Sequence, residues 1–69
     1  MRNRIMADIG LMLQAIEFIE AHLKDDISVA DIAASVSFSL YHFSRTFSRV
    51  TRYSPYDYLM RRRLTEAAR

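Results

Sequence analysis

The chain has no cysteine, one glycine (Gly10) and one proline (Pro55). Without cysteine there is no disulfide and no thiolate metal ligand to reinforce a small core, a usage that fits a reducing compartment. So little glycine and proline leaves few sites for hairpin turns, and the sequence reads as helices rather than strands. No apolar run approaches the ~18 residues that mark a membrane span. The chain opens Met1-Arg2-Asn3-Arg4, but Asp8 interrupts the apolar stretch too early for a signal peptide. The expected setting is the cytoplasm, with no membrane contact. No internal repeat and no low-complexity segment breaks the chain.

Sixty-nine residues make one domain at most, and a chain this short buries only roughly 60% of its unfolded surface. Its net charge of +2 is modest, but the charge is unevenly placed. Residues 1–39 hold three basic side chains (Arg2, Arg4, Lys24) against six acidic ones. Residues 40–69 hold seven, all arginine, against Asp57 and Glu66. A basic half built from arginine points to a polyanionic partner, because the guanidinium fork matches phosphates and guanine edges.

Four helices are predicted, at about 8–24, 28–36, 39–51 and 55–69. In the first, Ile9, Met12, Leu13, Ile16, Ile19 and Leu23 recur at three- and four-residue steps and mark one apolar face, while Glu17, Glu20 and Lys24 lie off it. His22 is expected as an exposed or capping residue. The second helix starts at Ser28, with Asp31 three residues on as a variant capping box and Ile27 and Ile32 at the staple positions. Its inner face is Val29, Ile32, Ala33 and Val36, and the small Ala33 permits a close helix crossing. The turn is Ser37-Phe38-Ser39, with Phe38 buried and Ser39 capping the third helix.

In that third helix Leu40, Phe43, Phe47 and Val50 share one side, and Tyr41, His42, Arg45, Ser48 and Arg49 share the other, with Ser44 on the flank. Two short helices, a tight turn, and an outer face of arginine, tyrosine, histidine and serine form the pattern of a DNA-binding helix-turn-helix. The fourth helix is signposted by Ser54-Pro55-Tyr56-Asp57: cap, favoured first residue, and acid at the third position. Its Tyr58, Leu59, Met60, Leu64, Ala67 and Ala68 spread around more than half the circumference, so one side is expected to pack on the first three helices and the other on something further.

With these residues in place, the chain resembles the arabinose-regulator (AraC/XylS) family of bacterial transcription factors. The resemblance runs over about residues 10–69. It is carried by Ile27-Ser28, Ala33, the run from Ser39 through Phe43 to Arg45 and Phe47, then Ser54-Pro55, Tyr58-Leu59, Arg63-Leu64 and Ala67. It implies an all-α, homeodomain-like helix-turn-helix that regulates transcription by binding double-stranded DNA, with RNA polymerase as a further candidate partner. The family module looks like two such units joined by a long linker helix, so residues 1–69 are expected to be the first unit plus that linker, a truncated half of a bipartite reader.

By the same resemblance, base contacts fall on Tyr41, Ser44 and Arg45 in the major groove, and phosphate contacts on Ser28, His42 and Arg49. Arg52, Arg61 and Arg62 complete the expected phosphate set, with at least one of Arg61, Arg62 and Arg63 pairing instead with an acid inside the fold. Two positions depart from the family pattern. Arg52 stands where a glycine usually follows the third helix, and Ser37 where the turn often carries Gly or Asn. A left-handed residue at 52 would cost arginine roughly 1 kcal/mol relative to glycine, so either Arg52 adopts another conformation or the helix ends differently.

The alternative function is an interaction module that self-associates through the apolar face of the fourth helix. An enzyme has little support. His22 and His42 lie on different helices, with no cysteine and no clustered carboxylates beside them, and Asp25-Asp26 reads as a helix-end loop. No cofactor and no metal is expected.

Overall fold

The helical pattern is realised in four segments of a computed structural model, which describes residues 2–68. They are α1 (Arg2–Ala21), α2 (Val29–Ser35), α3 (Leu40–Thr51) and α4 (Pro55–Ala67). Met1 and Arg69, the ends of the expected span, lie outside the described residues.

The first helix begins six residues earlier than expected and stops three residues sooner. Nothing in Arg2-Asn3-Arg4-Ile5-Met6-Ala7 opposes helix, and arginine, methionine and alanine favour it. The expected start at Asp8 stands one residue before Ile9, where the apolar repeat begins. At the other end, the His22 Nδ1–H donates to the Phe18 carbonyl at 2.7 Å while the two rings lie 4.2 Å apart. One orphan carbonyl of the last turn is thereby satisfied.

The apolar face of α1 is also rotated from its expected direction. Met12, Ala15 and Ile19 are fully buried, whereas Ile9 is 40% and Leu13 56% exposed. At ~100° per residue, Met12, Ala15 and Ile19 fall within an arc of about 60°, and Ile9 and Leu13 stand well outside it. Reading only large side chains missed Ala15 and drew the stripe towards Leu13.

The remaining helices follow their caps. Ser28 and Asp31 close a reciprocal box: the Asp31 N–H donates to Ser28 Oγ at 3.2 Å and the Ser28 N–H to Asp31 Oδ2 at 2.9 Å. After α2, Ser37 is left-handed at φ 62. Its N–H donates to the Ala34 carbonyl, and the Phe38 N–H donates to the Ala33 carbonyl, both at 3.0 Å. That pair of bonds is a Schellman ending, and it turns the chain into α3 within three residues. Ser39 caps α3 by accepting from the His42 N–H at 3.1 Å. Ser54 caps α4 by accepting from the Asp57 N–H at 3.1 Å, with Pro55 in the first turn.

Arg52 neither changes conformation nor lets the helix end differently. It sits left-handed at φ 71, ψ 7, and its N–H closes α3 on the Ser48 carbonyl at 2.8 Å. The Thr51 hydroxyl supports this ending by donating to the Phe47 carbonyl at 2.8 Å and accepting from the Tyr53 N–H at 3.1 Å. The fold therefore carries a backbone cost at Arg52 that a glycine would relieve.

The core gathers Met12, Ala15 and Ile19 of α1, Ile32 and Ala33 of α2 with Val36 beside it, Phe43 and Phe47 of α3, and Leu59 of α4. Within α3, Thr46 is buried and Leu40 is 51% exposed, so the stripe is centred on Phe43 and Phe47, with Leu40 at its edge. Tyr58 meets the edge of Phe47 at 5.6 Å and 71°, bringing α4 onto α3. The far part of α4 is tied to the end of α1 by arginines. Arg62 grips Glu20 with two bonds, of 2.6 and 2.8 Å, and Arg63 donates to the Leu23 and Asp25 carbonyls at 3.1 and 2.7 Å. No described helix is long and apolar enough to cross a membrane.

Candidate nucleic-acid interface

Burial of Phe43, Thr46 and Phe47 fixes the roll of α3 and leaves Tyr41, Arg45 and Arg49 as an outward ridge at four-residue steps. Tyr41 is 70% exposed. Arg45 donates from Nη1 to the Tyr41 hydroxyl at 2.9 Å, and its Cζ lies 5.6 Å from the centroid of that ring. The pair holds one guanidinium edge while the other donors of the fork stay in solvent. His42 stacks on Phe38 at 4.1 Å with the rings 4° from parallel, so the turn residue serves as a platform for the imidazole. Ser44 is half-buried on the flank of the same helix.

Arg49 donates to Asp8 Oδ2 at 3.0 Å, across 41 positions of sequence. The Arg49 side chain is 63% exposed and that of Asp8 only 16%. The bond ties the outer ridge of α3 to the first turns of α1. Between the two lies an open groove of about 560 Å³, walled by Tyr41, His42, Arg45, Thr46 and Arg49 on one side and by Arg4, Ile5 and Asp8 on the other. Four of the nine expected contact residues thus share one concave surface, where arginines outnumber the single acid three to one.

The other five lie elsewhere. Ser44 is on α3 but not in the groove, Ser28 caps α2, and Arg52 is exposed where α3 ends. Arg61 pairs with Asp57 at 3.0 Å, and its Cζ lies 5.0 Å from the centroid of the Tyr53 ring. Arg62 is committed to Glu20 and, at 3.4 Å, to Glu66. The bonds from Arg62 hold the Glu20 carboxyl below its usual value despite the opposing effect of burial, and Glu20 in turn raises Arg62. Sequence reasoning missed Arg4, Ile5 and Asp8 as neighbours of α3. A contact made across 41 residues leaves no trace in helical periodicity, and the early start of α1 is the one signal that bears on it.

A short α2, a tight turn, and an α3 buried on one side and arginine-rich on the other define a helix-turn-helix domain of the DNA-binding class. The chain belongs to the AraC family of bacterial regulatory helix-turn-helix proteins, whose model it matches over residues 19–60, more than half its length. It is similar to a Bacillus subtilis protein named "Uncharacterized HTH-type transcriptional regulator YbfP", at 42% identity over 55 residues, 80% of this chain and 19% of that protein. It is also similar to the regulatory protein PocR of Salmonella typhimurium, at 42% identity over 38 residues, 55% of this chain and 12% of that one. The chain thus spans a fifth or less of the length of the relatives it matches. No solved structure is a significant match. The family is one of regulators rather than enzymes.

Proposed function

We propose that this domain reads a specific DNA sequence in the cytoplasm as one unit of a longer transcription regulator, with α3 seated in the major groove. The observation that carries this reading is the Tyr41–Arg45 pair, exposed and mutually braced on the face of α3 opposite its buried phenylalanines. In this arrangement Arg45 pairs with the O6 and N7 of a guanine, and Tyr41 and Ser44 meet neighbouring bases. Ser28, His42, Arg49, Arg52 and Arg61 hold phosphates. Arg62 can join them only by loosening its two bonds to Glu20. The relatives' lengths support placing the unit within a larger protein. RNA polymerase is a partner of that whole protein in this reading.

Selection of bound duplexes from a random library tests the reading. One short enriched motif is expected, bound more tightly than random duplex, with affinity falling steeply as salt rises because phosphate contacts release counterions. Recovery of unenriched sequences at every salt concentration would leave only non-specific binding.

A second reading has its own observation. Tyr56, Met60 and Leu64 stand at four-residue steps along α4, with Tyr56 63% and Leu64 72% exposed. Such a ridge suits self-association of the domain. Sedimentation decides: a concentration-dependent dimer abolished by Leu64→Glu supports it, and a strict monomer at high concentration removes it.

A further inference from the structure

The Arg4, Ile5 and Asp8 wall of the groove faces the ridge of α3 that carries Tyr41, Arg45 and Arg49. We infer that this groove receives the sugar-phosphate backbone of one DNA strand, and that Arg4 of α1 is a phosphate contact on its second wall. The inference rests on the proposed seating of α3 in the major groove. A helix entering that groove must run beside one of the two strands that bound it. On the α1 side, this groove lies open to such a strand.

The charge of the groove suits a polyanion. Arg4, Arg45 and Arg49 outnumber Asp8, leaving a net positive trough. Arg49 meets the strand from the α3 wall, one turn beyond the base-reading Arg45, and Arg4 meets the same strand from across the groove. Ile5, 67% exposed, offers the sugars an apolar surface. Asp8 has a defined place here: largely covered and bonded to Arg49, it fixes that guanidinium at the groove wall while leaving most of the arginine in solvent.

The test measures duplex binding by the 69-residue chain across a salt series, for wild type and Arg4→Gln, Arg4→Lys and Arg45→Ala. Arg4→Gln is expected to make the slope of log K against log salt shallower by about 0.9, equally for a selected duplex and a random one. Arg4→Lys should restore the slope. Helicity by circular dichroism is read in parallel, and the lysine variant separates loss of charge from loss of the helix end. An unchanged slope in Arg4→Gln, with Arg45→Ala still weakening binding, overturns the groove assignment and leaves the reading of α3 standing. An effect of Arg4→Gln on the selected duplex alone overturns it as well, since Arg4 would then contact bases. Failure of the wild type to bind any duplex at low salt overturns both.

Discussion

Replacing Arg52 with glycine should stabilise the domain, although it removes a long side chain and adds no contact. Arg52 is held left-handed at φ 71, where Cβ crowds the carbonyl oxygen and costs an ordinary residue roughly 1–2 kcal/mol. Glycine escapes that cost but adds freedom to the unfolded chain, worth about 0.4–1 kcal/mol against folding. The balance favours glycine by about 0.5–1 kcal/mol. In a domain of this size ~1 kcal/mol moves Tm by ~4–8 °C, so an increase of roughly 2–8 °C is expected. Thermal and urea unfolding at neutral pH measure it, with Arg52→Ala as the control. Alanine removes the same side chain but keeps Cβ, so it should stay within about 0.5 kcal/mol of wild type. If alanine and glycine behave alike, the backbone cost is not the operative effect. If glycine destabilises, the left-handed ending of α3 is wrong. The glycine variant also loses a proposed phosphate contact, so a more stable protein that binds DNA less tightly would fit both parts of the account.

Three further predictions follow from the packing and the ion pairs. Phe47→Ala should cost ~3–5 kcal/mol, a large share of the ~3–10 kcal/mol available to a chain of this length, and thermal unfolding followed by circular dichroism should show Tm lowered by at least ~12 °C. The rotated face of α1 predicts opposite sensitivities at neighbouring positions: Ala15→Leu overpacks the core by ~1–3 kcal/mol, while Leu13→Ser stays within about 0.5 kcal/mol in urea unfolding. Because the bonds from Arg62 hold the Glu20 carboxyl below its ordinary value, the stabilisation from this pair is complete above the ordinary carboxylate range and is lost as pH falls through the lowered value; Arg62→Ala should lower Tm at pH 7 and leave Tm less dependent on pH between 6 and 2, whereas a parallel downward shift at every pH would mean that Arg62 acts through packing instead.

Legibility in the sequence tracked the range of the interactions involved. Ser28, Ser39 and Ser54 all cap the helices that follow them, because a cap is a contact made three residues away and is written locally. The outer face of α3 was legible for the same reason, since one strong apolar stripe fixes its opposite. The face of α1 was less so, because the small Ala15 carries burial that a count of bulky residues overlooks. Arg52 stands out in the sequence as a departure, yet its conformation is set by Thr51 and the closure of α3 rather than by its own preference. The Arg61–Arg63 run shows the limit most plainly. The expectation that at least one member pairs internally holds for Arg62, but its partner Glu20 lies 42 positions away, beyond any periodic pattern. The α1 wall of the groove lies beyond reach for the same reason.

Whether Arg45 reads a base from α3 is decided by Arg45→Ala against paired duplexes. Affinity for the selected site should fall by ~1–3 kcal/mol, with preference relaxed at one base pair, while binding to random duplex changes far less. Equal losses on selected and random duplexes, with every base preference intact, would contradict the claim and make Arg45 a phosphate contact.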